Sequence, residues 1–401
     1  MRVGFLFNHD QVHQVAHSLP IALALAQTGA GLEILVATTN SRLTAEVIRL
    51  GGAAIGRSIA LVQLGLRNPV AIRAARMLEA LLPATKLLVY RDNLDFFRSL
   101  DALVVAEKTS LILKTRYGLD SLKIIHTRHG AGDRAIGFDK TSALFDHVLV
   151  SGAKIRERLL REAGLSEERI SVVGYPKFDL VDDRSALHPM CNDGHPVVLY
   201  NPHVSPHLSS WYRWGRQILD WFVEHDDYHL IFAPHVMLFE RRFVVTIDRL
   251  RVDRPGHIDE RYLRAPNIHI DLGSRMATTM AYTNRADIYL GDVSSQVYEF
   301  LRRPRPCLFL NPHGFAADGD ANFRHWSAGP VVGELDDFGE ALAQAQARHA
   351  DLYRPIQQRL FDHSFDLTDE PSSYRAARAV AGVLGRDVPR ALAGPGRLAF
   401  G

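Results

Sequence analysis

Short apolar runs alternate with longer amphipathic stretches along the first half of the chain. The runs read VGFLFN, EILVAT, ALVVAE, KIIHT, HVLVSG and ISVVG. Apolar residues recur at helical spacing between them, over residues 18–27, 43–50, 110–117 and 153–163. Unbroken Val/Ile/Leu strands separated by helices are typical of a parallel sheet that is covered on both faces. The pattern therefore predicts a doubly wound α/β domain over residues 1–180.

A polar, turn-forming stretch interrupts the alternation, and we predict an interdomain linker at residues 181–195. The alternation then restarts with PVVLYN, YHLIFA, NIHIDL, ADIYLG, CLFLN and PVVGEL, and with helical stretches at 209–224, 238–249 and 294–303. A second doubly wound domain is expected over residues 196–370, followed by a helix within 371–390. In such sheets ligands bind at the carboxyl ends of the strands.

Composition narrows the class of protein further. A chain of 401 residues with 47% hydrophobic and 23% charged residues has the size of two large globular domains or three small ones. A net charge of +2 gives no global field toward nucleic acid or an anionic membrane. Two cysteines, no signal-peptide pattern and no long apolar span predict a cytoplasmic protein, soluble or peripheral at the inner face of the membrane.

The strongest chemical signal follows the predicted strand ADIYLG. Asp292, Ser294 and Ser295 stand where the first turn of a helix leaves backbone N–H groups unpaired, so a phosphate bound there gains amide and hydroxyl donors. The alternative is an ordinary N-cap, which an Asp or Ser also provides. Glu299, one turn later, either reaches a ribose hydroxyl pair or faces solvent.

A second signal lies in KIIHTRHGAGDR, where a predicted strand ends next to His129. An imidazole at the carboxyl edge of the sheet is suited to general-base catalysis near neutral pH. Gly130 allows close approach of the backbone to a ligand, and Arg128 and Arg134 flank the histidine. The alternative is a turn histidine bonded to the backbone.

Weaker candidates lie at other strand tips. Lys177, in GYPKFD, either donates to a pyrophosphate or belongs to a plain turn. His235 leaves a strand of the second domain, and Asn201 and His203 occupy the equivalent place one unit earlier. Histidines in such loops are plausible partners of an anion.

Two further features have ordinary explanations. His9, His13 and His17 are spaced by four residues, as metal ligands on a helix would be, but Ser18 and Pro20 mark a helix start after them. We therefore predict a loop there, with His13 and His17 near an acceptor, and neither a metal nor a cofactor. The amphipathic stretch at 69–88 is suited to packing on the sheet or to touching a membrane surface.

Five segments resemble the CDP-glycerol glycerophosphotransferases, the teichoic-acid polymerase family, in order and approximate spacing. They are HG at 129–130, GYPKFD at 174–179, VLYNPH at 198–203, APH at 233–235 and DVSSQVYEFL at 292–301. That family is similar to the two-domain GT-B glycosyltransferases and the UDP-N-acetylglucosamine 2-epimerases. The resemblance runs from about residue 100 to 385.

The resemblance implies a GT-B-like fold whose last helix crosses back to the first domain. It implies a base role for His129 on the acceptor side, a place for His235 near the activated phosphate, and phosphate-binding roles for Ser294 and Ser295. The implied partners are a nucleotide-diphosphate donor, either CDP-glycerol or a nucleotide sugar, and a polysaccharide or lipid-linked acceptor. Lys177, His203 and Val293 depart from the family pattern, so the donor is left open between CDP-glycerol and a nucleotide sugar. Two other functions also stay open: a UDP-sugar epimerase and a non-catalytic nucleotide-binding module.

Overall fold

The computed structural model describes residues 1–9, 11–66, 84–128, 130–133, 137–180, 193–240, 243–246 and 251–390. The chain forms two compact units. The first contains Met1–Ala131, Ile136–Leu180 and His363–Gly401, and the second contains Gly132–Ala135 and Val181–Asp362. The segment 132–135 and the residues from 363 to 370 thus belong to other units than the sequence pattern suggested.

The first unit is built on a seven-stranded parallel sheet in the order β3-β2-β1-β4-β5-β6-β7. Its strands are β1 Arg2–Phe7, β2 Glu33–Thr38, β3 Ile59–Gln63, β4 Ala102–Val105, β5 Lys123–Thr127, β6 His147–Val150 and β7 Ile170–Val172. The apolar runs predicted all of these except β3. The sequence of β3, IALVQ, opens with four apolar residues, and this partly buried edge strand was missed.

The second unit contains a six-stranded parallel sheet in the order β12-β9-β8-β13-β14-β15 and a separate antiparallel pair, β10-β11. The strands are β8 Val197–Asn201, β9 His229–Phe232, β10 Val244–Thr246, β11 Arg251–Asp253, β12 Ile268–Ile270, β13 Ile288–Gly291, β14 Cys307–Leu310 and β15 Val331–Val332. Two parallel α/β sheets confirm the predicted fold class.

Helices connect the strands of both units. They are α1 Val15–Gln27, α2 Ser41–Gly51, α3 Ala84–Asp92, α4 Leu94–Arg98, α5 Ile112–Thr115, α6 Ala153–Arg158, α7 Trp211–Glu224, α8 Glu260–Arg264, α9 Ala281–Arg285, α10 Gln296–Phe300, α11 Phe338–Ala347, α12 Arg354–Ser364 and α13 Ser372–Val383. No helix within the described ranges combines the length and the apolar character needed to cross a bilayer.

Two local predictions are wrong. The helix predicted at 238–249 is absent at its described positions: residues 238–240 form a turn, and Val244–Thr246 form β10, whose Val244 pairs with Asp253 of β11. The β-branched sequence Val-Val-Thr favours an extended strand over a helix, which explains the difference. The loop predicted before residue 18 is instead helical, because a 3₁₀ turn at Val12–Gln14 leads directly into α1.

Burial explains the early start of α1. Val15 and Leu19 are fully buried in the first core, together with Val3 and Phe5 of β1. Pro20 lies inside this helix, where its missing N–H leaves one carbonyl of the preceding turn without its usual partner. The apolar contacts of α1 outweigh that loss. Helix α13 packs on α1 and contributes Ala376, Ala377 and Val380 to the same core, so the final helix belongs to the first unit.

Strand order places one topological switch point in each sheet. The order reverses between β1 and β4 in the first sheet and between β8 and β13 in the second. The loops leaving the two central strands diverge to opposite faces there and open a crevice at the carboxyl edge. Each unit therefore has its own candidate binding edge.

Candidate functional site

The carboxyl edge of the second sheet gathers most of the predicted donor-side residues. Asn201 is the last residue of β8, and Asp292 directly follows the neighbouring strand β13. His203 and His235 lie in the loops that follow β8 and β9. The switch point thus brings together residues that are about ninety positions apart in the chain.

Asp292 organises this edge. Its Oδ1 accepts hydrogen bonds from the backbone N–H groups of His203 (2.9 Å) and Val293 (2.6 Å), and its Oδ2 accepts from the N–H (2.7 Å) and hydroxyl (2.9 Å) of Ser210. Burial raises the pKa of Asp292, and these four hydrogen bonds oppose that shift. Asp292 therefore fastens three loop segments to one another. The N-cap alternative does not hold, because no side chain caps the N-terminus of α10.

Asn201 and Ser294 form the next layer. The Ser294 hydroxyl donates to Oδ1 of Asn201 at 2.6 Å, and Nδ2 of Asn201 donates to the carbonyl of Ala233 at 2.6 Å. Ser295, the next residue, is exposed, and Glu299 is buried within α10. Asn201 and Ser294 hold the turn in shape, and Ser295 presents its hydroxyl outward.

The two histidines of this edge share one hydrogen-bonding arrangement. Nδ1 of His203 accepts the N–H of Ser205 at 3.0 Å, and Nδ1 of His235 accepts the N–H of Met237 at 3.3 Å. A neutral imidazole that accepts at Nδ1 carries its proton on Nε2. Burial lowers the pKa of His235 to about 4, so this side chain is neutral at physiological pH. The ring centroids of the two histidines are 5.9 Å apart.

A layer of buried side chains supports the loop that contains Asp292, and the sequence did not predict it. The carbonyl of Asp292 accepts from Nε1 of Trp326 at 2.8 Å and lies 3.0 Å from Nε2 of His325. Asp133, also in the second unit, accepts from Nδ1 of His325 at 3.0 Å and from the hydroxyl of Tyr298 at 2.6 Å. Both ring nitrogens of His325 thus face acceptors. No local motif signals this partnership, since Asp133 and His325 are 192 positions apart.

On the acceptor side, His129 and Arg134 lie outside the described residues. Gly130 has a φ of +83°, in the left-handed region that glycine tolerates. Arg128 donates to the carbonyl of Gly137 at 2.5 Å and stacks over the ring of Phe138. Burial, with the nearby positive charge of Arg158, lowers the pKa of Arg128 to about 10. The Arg128 side chain therefore has a packing role in the first unit.

His17 contacts the GYPKFD segment of the first unit, to which Lys177 belongs. His17 packs against the ring of Tyr175 with centroids 5.4 Å apart, and Lys177 is buried in the 3₁₀ turn Pro176–Leu180. His13 lies in the 3₁₀ turn before α1. Lys177 was predicted on the donor side, but the remaining donor-side residues belong to the second unit.

The carboxyl edge of the first sheet holds an arrangement that the sequence prediction missed. His9, two residues beyond β1, has its Nδ1 3.2 Å from Oε1 of Glu107, two residues beyond β4. Lys86 lies 3.0 and 3.2 Å from the two Glu107 oxygens. Burial alone would raise the pKa of Glu107, but the hydrogen bond from His9 and the charge of Lys86 outweigh it and hold the pKa at about 2.

The Glu107 carboxylate fixes the tautomer of His9. Because a carboxylate only accepts, Nδ1 of His9 carries a proton, and in the neutral ring the lone pair is then on Nε2. His9 is 1% exposed, and Nε2 has no hydrogen-bond partner within the described part of the chain. This oriented imidazole at a switch point has the geometry of a general base.

Comparison with solved structures identifies similar folds. The chain is similar to the wall teichoic acid polymerase TagF, with a TM-score of 0.57 and 12% identity over 96% of this chain and 88% of that one. It is also similar to a putative UDP-N-acetylglucosamine 2-epimerase from Listeria monocytogenes (TM-score 0.57, 14% identity, 98% and 99% covered). A third is the UDP-GlcNAc 2-epimerase from Neisseria meningitidis bound to UDP-GlcNAc (TM-score 0.58, 14% identity, 96% and 99% covered).

No protein-family model matches the sequence, and no curated protein matches it. The structural similarities span nearly the whole chain at 12–14% identity. They establish the GT-B-like fold that the resemblance implied, and they show the fold alone.

Proposed function

We propose that this chain is a transferase that moves a glycerophosphate or glycosyl group from a nucleotide-diphosphate donor, CDP-glycerol-like, to a hydroxyl acceptor in the biosynthesis of a cell-surface polysaccharide or polymer. The observation that carries the proposal is the gathering of His203, His235 and the exposed Ser295 in the loops that follow three neighbouring strands, β8, β9 and β13, at the carboxyl edge of the second sheet; burial keeps His235 neutral. N–H and O–H donors on loops that converge at one sheet edge suit a diphosphate.

In the proposed reaction the donor phosphates bind at the carboxyl edge of the second sheet. With CDP-glycerol, the acceptor oxygen forms a bond to the β-phosphorus, the bond from that phosphorus to the bridging oxygen breaks, and CMP leaves. With a nucleotide sugar, attack falls on the anomeric carbon and a nucleoside diphosphate leaves. His235 and Ser295 stabilise the charge that develops on the leaving nucleotide in either case.

The acceptor hydroxyl must lose its proton, and two residues are candidates for that role. His129 is the base that the resemblance implies. His9 is supported by its own contacts, because Glu107 orients the ring and leaves the Nε2 lone pair available. General-base catalysis contributes roughly 10²- to 10⁴-fold, so loss of the true base lowers kcat by about that factor and leaves donor affinity nearly unchanged.

A UDP-sugar epimerase is the second candidate function, favoured by the similarity to epimerase structures over 96–98% of this chain. An epimerase converts a UDP-sugar without a second substrate, whereas a transferase needs an acceptor. Incubation with CDP-glycerol or UDP-N-acetylglucosamine, with and without polyol-phosphate acceptors, separates them when nucleotides are resolved by anion-exchange chromatography and sugars by NMR.

The expected result is acceptor-dependent release of CMP from CDP-glycerol. Acceptor-dependent UDP release supports the glycosyl branch of the proposal, and acceptor-independent conversion of UDP-N-acetylglucosamine supports the epimerase. If no nucleotide is altered, while CDP or UDP still binds, the chain is a non-catalytic nucleotide-binding module and the transferase proposal fails.

A further inference from the structure

A cluster of two histidines and an aspartate lies at the amino-terminal edge of the second sheet, the edge opposite to the proposed donor site. His195 lies two residues before β8, His229 is the first residue of the neighbouring strand β9, and Asp193 begins the described chain before β8. One potential ligand atom from each of the three lies within 4.8 Å of the others.

The distances within the cluster suit a single small cation. Nε2 of His229 is 2.8 Å from Oδ2 of Asp193, and Nδ1 of His195 is 4.0 Å from the same oxygen. The carbonyl oxygen of Asp226 is 3.0 Å from Nδ1 of His195 and brings a fourth donor to the group. Four ligands at about 2.0–2.2 Å from a tetrahedral zinc ion are separated by about 3.4 Å, and the observed separations lie on both sides of that value.

The backbone brings the two exposed side chains, Asp193 and His195, close together before any ion binds. Gly194 has a φ of +91°, a left-handed conformation that turns the chain between Asp193 and His195. Oδ1 of Asp193 accepts the N–H of His195 at 3.2 Å, which orients the carboxylate. His229 is 7% exposed, so its imidazole is held by the sheet and does not move freely. One rigid ligand and a preformed turn lower the entropy lost on binding an ion.

We propose that Asp193, His195 and His229, with the carbonyl of Asp226, form a binding site for a divalent transition-metal ion, with zinc as the ion that fits best. Imidazole and carboxylate ligands favour zinc over magnesium or calcium, which prefer all-oxygen sets. The ion takes the places of two protons, the one between Nε2 of His229 and Asp193 and the one between Nδ1 of His195 and the Asp226 carbonyl, and each neutral ring then carries its proton on its other nitrogen. It ties the start of the second unit's sheet to the chain that enters β8, so its role is structural.

Zinc binding to the full chain, freed of metal by chelation, tests the proposal directly. Isothermal titration calorimetry with ZnCl₂ in a non-phosphate buffer at pH 7.5 should give one zinc ion per chain. His195→Ala and Asp193→Asn should each weaken binding at least thirty-fold. Both changed side chains are about half exposed, so these variants are expected to fold.

A matched control is available in the first unit. His363 lies 3.0 Å from Glu157 in an exposed histidine–carboxylate pair, which the described residues do not complete with a second histidine. His363→Ala should bind zinc like the unaltered chain. Saturating zinc should also raise the thermal midpoint followed by tryptophan fluorescence in the unaltered chain and not in His195→Ala.

Absence of one-to-one binding would overturn the proposal, and so would equal zinc affinity in all four proteins, which indicates adventitious surface binding. One-to-one binding of magnesium from MgCl₂, with the same rise in the thermal midpoint, would also contradict the assignment to a transition-metal ion. None of these outcomes depends on nucleotide turnover, so the site and the proposed function stand or fall separately.

Discussion

Replacing Asp292 by Asn tests how the candidate donor loop is held. The carboxylate accepts four hydrogen bonds, three of them from backbone N–H groups. An asparagine keeps one oxygen and presents an NH₂ group where the other was. Placed toward Ser210, that NH₂ faces a backbone N–H. The Ser210 hydroxyl can rotate to accept, but the N–H cannot.

The expected cost follows from these contacts. A lost hydrogen bond to a charged acceptor in a buried site costs about 1.5–3 kcal/mol, and weakening of the remaining three from charged to neutral acceptors adds to it. We expect the free energy of unfolding to fall by about 3 kcal/mol. All four tryptophans, at 211, 214, 221 and 326, belong to the second unit. Urea denaturation followed by tryptophan fluorescence therefore reports on the correct unit.

Asp287→Asn is the matched control. Asp287 accepts one backbone N–H, from Val197 at 2.9 Å, and is about half exposed at the other end of the same sheet. Its replacement should cost less than about 1 kcal/mol. A loss at Asp292 no greater than that of the control would refute the reasoning and would indicate that Asp292 is a neutral acid in the folded chain, which an asparagine mimics.

Three other changes have defined outcomes. Glu107, with a pKa of about 2 against an ordinary 4.5, stabilises the first unit fully above pH 4.5 and loses that contribution as the pH falls toward 2. The difference in unfolding free energy between the unaltered chain and Glu107→Gln, measured by circular dichroism in urea, should therefore shrink over that range. A constant difference would argue against the charged contacts. His235, with a pKa of about 4 against an ordinary 6.5, contributes its full stabilisation of the second unit above pH 6.5 and loses that contribution as the pH falls to 4. His235→Gln should flatten the pH dependence of the unfolding free energy followed by tryptophan fluorescence. An unchanged slope would count against a neutral buried imidazole. Gly174→Ala forces a Cβ against the Ser372 hydroxyl at a φ of +79°, whereas Gly118→Ala, at +65°, meets nothing within 4 Å; the first should lower the thermal midpoint of the first unit more than the second by an amount equivalent to at least about 1 kcal/mol, and equal shifts would contradict the packing of the 372 segment on Gly174.

The fold was largely predictable from sequence because buried parallel strands leave a simple signal. Six of the seven strands of the first sheet appear as apolar runs, and β1, β2, β4, β5 and β6 are almost entirely buried. The edge strand β3 was missed although Ile59–Val62 is itself an apolar run; the strand is only partly buried. Helices α11 and α12 were missed because their exposed faces dilute the apolar pattern, and only Phe338, Leu342 and Ala345 of α11 are buried.

The candidate site was predictable where polar residues directly follow strands. Asn201 and Asp292 were found in this way, because a strand tip is visible in the sequence. Their hydrogen-bonding partners were not found, since Ser210 and His325 reach Asp292 through loops with no strand pattern of their own. Even so, a doubly wound order places β1 beside β4, so the residues that follow these strands must meet.

His9 and Glu107 are those residues. Spacing along the chain suggested a comparison of His9 with His13 and His17, whereas the sheet pairs it with a carboxylate 98 positions away. Local spacing is therefore a poor guide to chemistry at the edge of a parallel sheet. Strand order, once assumed, is the better signal.

The most direct measurement is calorimetric titration of CDP and UDP into three proteins. They are the unaltered chain, the double variant that carries both Ser295→Ala and His235→Gln, and the control His363→Ala. We predict that at least one nucleoside diphosphate binds with a one-to-one stoichiometry, that the double variant weakens binding at least thirty-fold, and that the control leaves it unchanged. Equal affinity in all three proteins, or no binding of either nucleotide, would contradict a diphosphate site at the carboxyl edge of the second sheet.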